Sequence, residues 1–80
     1  MRKILRIGQV VASYGKTRSP IYDDIQRGTF VKPVKIGPRA AGWPEDEVGQ
    51  IIDARIAGAD DAAIKRLVEK LHVARAVALA

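Results

Sequence analysis

Lys16-Thr17-Arg18-Ser19-Pro20-Ile21-Tyr22-Asp23-Asp24-Ile25-Gln26-Arg27-Gly28 is the stretch that decides the fold. Ser19 ahead of Pro20 predicts a helix with Ser19 as N-cap and the proline at the first helical position, where a missing N–H is harmless. Thr17 is the competing cap, but a residue before proline is pushed away from helical dihedrals, which favours Ser19. Ile21 and Ile25 then share one face, and Gly28 ends the helix. Upstream, Gln9 to Tyr14 reads as a short helix with Val10 and Val11 inward, closed by a left-handed Gly15. Two short helices about a tight glycine-containing turn make a helix-turn-helix.

Working outward, Ile4-Leu5-Arg6-Ile7 fits either a short strand or the lead-in to a helix. Beyond Gly28 the period changes. Val34 and Ile36 alternate with Lys35, Gly37-Pro38-Arg39 signals a turn, and Ala40 to Trp43 returns as the partner strand. Pro33 favours an edge position. Lys32, Lys35 and Arg39 on the outer side and tip make this hairpin a basic wing, and Trp43 reads as core. Pro44 opens a third helix with Glu45, Asp46 and Glu47 in its first turn, where the macrodipole favours anions. Val48, Ile51, Ile52 and Ile56 give it an apolar stripe that Gly58 stops. Asp60 caps a last helix with Ile64, Leu67, Val68, Leu71, Ala74 and Ala78 at helical spacing.

Composition bounds the answer. Eighty residues hold one small domain, which buries only about 60–65% of the surface its unfolded chain exposes. The absence of cysteine excludes disulfides and thiolate metal sites, and a single histidine leaves no His-rich cluster. No metal or cofactor is therefore expected. No apolar run approaches the roughly 18–20 residues of a bilayer span, and Arg6 and Gln9 break any signal-peptide core in the amino-terminal stretch. A soluble, cytoplasmic, nucleoid-associated protein without a membrane partner is expected. Catalytic signatures and phosphate loops are missing, so no enzyme is expected.

The net charge of +5 is unevenly spread. Residues 1–44 carry nine Lys/Arg against two Asp, whereas residues 45–80 carry five basic and seven acidic side chains. A basic half joined to a mildly acidic one points to a polyanion-binding unit with a differently employed appendage.

Three segments bring a family into view. Arg18-Ser19-x-Ile21-Tyr22-x-x-Ile25-x-x-Gly28, Phe30-x-Lys32-Pro33-Val34-Lys35-Ile36-Gly37 and Arg39-Ala40-x-x-Trp43 before an acidic helix start resemble the AlpA-type phage and prophage regulators. These are relatives of MerR-like winged helix-turn-helix proteins and of excisionases, and the likeness covers Ile4–Ile56. It implies a mostly α fold with a small β-hairpin, a winged helix-turn-helix of the MerR/excisionase type with an additional C-terminal helix. Residues 1–58 would form the DNA-binding domain and 59–80 a self-association element. The second helix would enter the major groove of double-stranded DNA and the wing would contact the flanking backbone or minor groove. Asp23 and Asp24 stand where the family carries a basic and an apolar residue, and Pro20 replaces a small hydroxyl residue.

Arg18, at the start of the helix and off its apolar face, is the first candidate to reach a guanine edge or a phosphate. Thr17, Ser19 and Tyr22 join it, although Ser19 also serves as a cap and Tyr22 equally suits core packing. Lys16 and Arg27 flank the helix as positioning groups, and Lys32, Lys35 and Arg39 form the wing set. The favoured reading of the acids pairs Asp23 with Arg27 at i, i+4 and sets both acids against the helix amino terminus. The alternative has Asp23 accept from a cytosine amino group. His72, alone on its helix, reads as an interface or surface residue. The Ile64, Leu67, Val68 and Leu71 stripe is expected to join protomers as a dimer or head-to-tail array.

Two functions follow. The first is a sequence-selective double-stranded DNA-binding protein of a mobile element, either transcriptional regulator or excisionase, with a log–log salt slope near roughly −5 to −6. The second is an interaction module for RNA polymerase, an integrase or another host factor.

Overall fold

Helices α1 (Ile7–Tyr14) and α2 (Arg18–Arg27) form the helix-turn-helix, and each stops at a left-handed glycine, Gly15 at φ 80° and Gly28 at φ 82°. The computed structural model describes the backbone of residues 2–79 and the side chains of residues 2–77. The cap of α2 is Thr17, not Ser19, and Pro20 is its third residue. Thr17, Arg18, Ser19 and Pro20 all precede the first intrahelical bond, from Ile21 N–H to Thr17 O at 3.3 Å. No donor is needed at any of them, so the proline is accommodated two residues later than expected.

Both readings of the amino-terminal stretch apply in succession. Ile4–Leu5 is strand β1, and α1 begins at Ile7 after Arg6, whose N–H donates to the Gln9 Oε1 at 2.9 Å. The expected hairpin is β2 (Val34–Gly37) and β3 (Ala40–Pro44), and β1 adds to it in the antiparallel order β1-β3-β2. Leu5 pairs with Trp43 and Val34 with Gly42. One sheet face carries Trp43 and Leu5 into the core. The other has no covering layer, so Ile36, expected to be half-buried, is 47% exposed. Ile4 and Ile36 lie over Gly42 there, and a Cβ on Gly42 would meet Ile4 and come within 2.9 Å of the Leu5 carbonyl oxygen.

Helix α3 (Glu45–Ile56) starts directly from the end of β3, with Pro44 as its cap. Val48 and Ile51 are buried and Ile52 is half-buried, but Ile56 is 80% exposed because its turn projects beyond the core. The Asp60 carboxylate accepts the Ala63 N–H at 2.8 Å and caps α4 (Asp61–Leu79). Ile64, Val68 and Leu71 then pack into the same core as Val10, Ile21, Phe30 and Trp43, with Leu67 at its edge. The stripe expected to join protomers thus closes the core of its own chain, for so small a helix-turn-helix leaves α3 uncovered without it. Ala74 is exposed, and the Ala78 side chain lies outside the described residues.

The second half of α4 is held by polar contacts. Arg75 donates to both carboxylate oxygens of buried Glu47 and, at 2.8 Å, to the Lys32 carbonyl. His72 Nε2 accepts the Lys32 N–H at 3.1 Å. The base of the wing is therefore fixed from both sides of one residue. Burial, then the charges of Arg75 and Lys32, push the His72 imidazole below its usual 6.5, and Glu47 opposes them weakly.

Two outcomes follow from this packing. Gly42→Ala should cost about 1–3 kcal/mol, since backbone as well as Ile4 must move, and urea denaturation will read it. A loss under half a kcal/mol, on the order of a neutral surface change, would contradict the close approach. The second concerns pH. The unfolded chain protonates His72 more readily than the folded one, so its contribution is fully present above pH 6.5 and is lost as pH falls through the depressed folded value. Between about pH 7.5 and about pH 5.5 the wild type should lose more Tm than His72→Gln, and equal losses would exclude this linkage.

Candidate nucleic-acid interface

Helix α2 buries Ile21 and Asp24 and turns Arg18, Ser19, Tyr22, Asp23 and Gln26 to solvent. The Tyr22 ring lies edge-on to Trp43, with centroids 6.2 Å apart. Trp43 belongs to β3, so this aromatic contact sets the exposed face of α2 beside the sheet that carries the wing. Tyr22 packs against the core tryptophan, as one of its two expectations had it, and remains 47% exposed.

Lys35 lies on β2 opposite Ala41, and Arg39 sits in the β2–β3 turn, both exposed. Lys32 is exposed at the wing's base, where His72 and Arg75 hold its backbone. Among the described residues, Arg18, Lys32, Lys35 and Arg39 form no salt bridge. At the amino end of α2 the exposed Thr17 makes no side-chain cap bond, so the first amides of the helix have no acceptor from it.

The other two expected residues sit elsewhere. Lys16 pairs with Asp24 at 2.7 Å and lies 5.5 Å over the Tyr14 ring. Its charge is paired within the chain, although the side chain stays 41% exposed. Arg27 is on the opposite flank of α2 from Tyr22, in a polar pocket of about 380 Å³ with Lys16, Asp24 and Arg55. Asp23 and Arg27 form no ion pair, and Asp24 does not complement the helix terminus as expected. The turn brings Lys16 back over the helix, and a buried carboxylate takes the nearest cation because water no longer solvates it. On the same side of the molecule, Arg55 donates to the Tyr14 hydroxyl and to Asp61. The hydroxyl contact is the first cause of its raised pKa.

Gln26 is a candidate that sequence reasoning missed. It shares the exposed face of α2, and its amide has the geometry to pair with an adenine edge. Being uncharged and outside the motif, it gave no signal.

Residues 3–56 match the family model described as prophage CP4-57 regulatory protein (AlpA). A relative from Enterobacteria phage P4, named "Uncharacterized protein ORF88", is 36% identical over 56 residues, 70% of this chain and 64% of that one. The chain thus spans less than two thirds of that relative's length. No solved structure matches. Among the described residues, no helix is long and apolar enough to cross a membrane, and no group of three or more potential ligands is placed to hold a metal ion. The matched stretch runs from β1 through the end of α3, enclosing the helix-turn-helix and its sheet, and the chain belongs to the AlpA family of prophage regulatory proteins.

Proposed function

We propose that this protein binds double-stranded DNA sequence-selectively for a mobile element, as a transcriptional regulator or as an excisionase. Helix α2 lies in the major groove, and the β2–β3 wing contacts the adjacent backbone or minor groove. The observation that carries this reading is the Tyr22–Trp43 contact, which aligns the solvent face of α2 with a wing bearing unpaired cations. An α-helix with its side chains is about 10–12 Å across, which suits a major groove about 12 Å wide. Arg18, Ser19, Tyr22 and Gln26 then face base edges and nearby phosphates, while Lys32, Lys35 and Arg39 neutralise the backbone.

Residues 1–58 are the DNA-binding unit in this reading, and 59–80 both complete its core and supply a self-association surface. The protein acts in the cytoplasm at the nucleoid as a homo-oligomer. An integrase partner belongs to the excisionase role and RNA polymerase to the regulatory one. Asp24 is buried against Lys16 and presents no charge to phosphate, so it does not oppose the DNA-binding reading.

Internal pairing of Lys16 also lowers the expected salt dependence. With about four to five free cations at the interface, the log–log slope should be roughly −4 rather than the steeper value expected from sequence. Replacing Arg18 and Arg39 together with alanine should weaken binding about tenfold or more in a mobility shift with competitor duplex. Unchanged affinity would remove α2 and the wing from the interface. Shifts confined to promoter DNA would select the regulatory role, and shifts with bending at an attachment site the excisionase role.

A further inference from the structure

A stripe on α3 and a stripe on α4 match each other, and one chain cannot bring them together. On α3, Glu45, Gly49, Ile52 and Ile56 follow one another at intervals of four, three and four residues. Glu45, Gly49 and Ile52 border a groove of about 390 Å³ between α1 and α3, whose α1 side carries Ala12 with the polar Gln9 and Ser13, and Ile56 lies one turn beyond it. On the solvent face of α4, Arg66, Lys70, Val73 and Val77 follow at the same intervals. Val73 is 62% and Val77 68% exposed, although both are large apolar side chains.

Gly49 is the informative position. A glycine inside a helix disfavours it, and such a residue usually answers to packing. Yet a Cβ on Gly49 would meet nothing within 4 Å. Nothing in the chain itself requires glycine there, whereas a helix approaching from outside would.

We propose that the outer face of α4 from one copy of this chain packs parallel along the α1/α3 groove of a second copy. In the parallel register Arg66 and Lys70 stand against Glu45 and Gly49, and Val73 and Val77 against Ile52 and Ile56. Charge meets opposite charge at the amino end, and apolar meets apolar at the carboxyl end. The antiparallel register would set Val77 against Glu45 and Arg66 against Ile56. Among the described residues, Glu45, Arg66 and Lys70 form no ion pair within the chain, so each is available to the other copy. Within one chain the contact is impossible, because α4 already docks on α3 through its opposite face, Ile64, Val68 and Leu71. The two surfaces differ, so each copy has one of each and the association is head-to-tail.

This contact rests on the reading of the protein as a homo-oligomer and is independent of its DNA contacts. Sedimentation equilibrium of the full chain without DNA, over a wide concentration range, tests it. Gly49→Trp fills the groove and Val73→Asp spoils the stripe, both at positions open to solvent, and circular dichroism melts will verify folding. Wild type should self-associate and each variant do so about tenfold or more weakly. An equimolar mixture of the two variants should recover one contact and stop at a heterodimer, because one intact groove and one intact stripe remain. A monomeric wild type at every concentration overturns the homo-oligomer reading and this surface with it. Self-association unaffected by either variant overturns the surface alone. Loss in Val73→Asp only, with no recovery on mixing, overturns it in favour of α4–α4 pairing.

Discussion

The buried ring of Trp43 fixes how helix and wing stand to each other. Its indole N–H donates to the Val31 carbonyl at 3.1 Å, so burial leaves no polar atom unsatisfied. A ring of this size removes about 150–250 Å² from water, on the order of 4–6 kcal/mol of transfer free energy. Four parts of the chain converge on it. β1 pairs with it through Leu5, the approach to the wing is held through Val31, β3 carries it, and α2 leans on it through Tyr22. A hairpin on a flexible tether would sample many angles to α2. Anchored at its root by a buried aromatic, it keeps one.

The carboxyl side of the molecule solves a related problem with charge. Glu47 is nearly fully buried, and an unpaired carboxylate there would be strongly destabilising, by about 3–5 kcal/mol if a partner were removed. Arg75 from α4 and Arg2 from ahead of β1 both donate to it. The same Arg75 reaches the Lys32 carbonyl, and His72 takes the Lys32 N–H. The long last helix is thereby more than a lid on the core. Its first turns supply apolar packing through Ile64 and Val68, and its later turns brace the root of the wing. The apolar core of so short a chain is small, and these polar ties extend the fold's order beyond it.

Much of this was legible in the sequence, and the misses share a cause. Gly15, Gly28 and Asp60 announced their helix ends because each supplies something local, a positive φ or a side-chain acceptor. Trp43 read as core from its size. What failed was anything decided by residues far apart. Ile36 and Ile56 carry an apolar pattern like that of their buried neighbours, and only the layer above them decides exposure. The Ile64–Leu71 stripe is equally amphipathic whether it closes its own core or another's. Thr17 and Ser19 offer the same local chemistry, and the first turn tolerates proline in either register. The Asp24–Lys16 pair needed the angle of the turn. Of the candidate site residues, Arg18, Ser19 and Tyr22 are exposed on α2, and Lys35 and Arg39 are exposed on the wing. Lys16 and Arg27 were adjacent in sequence but lie on another flank.

How the acidic residues are used shapes the surface that remains. Asp24, Asp46, Glu47 and Asp61 each accept from a cation within the chain. Asp24 and Asp61 lie with their cations in the pocket on the other flank of α2 from Tyr22. The exposed Arg18, Lys32, Lys35 and Arg39, without salt bridges among the described residues, carry one sign. Asp23 is the exception, an exposed carboxylate in the middle of the α2 face. Against phosphate it is repulsive, and in the proposed complex that repulsion discriminates. A helix lying across the backbone would press Asp23 onto phosphate, whereas one seated deep in the major groove directs it to base edges. A cytosine amino group can donate to it there, and an acceptor at the same place cannot. In the proposed complex, the charge that weakens non-specific attraction would thereby narrow the set of orientations and sequences the helix accepts.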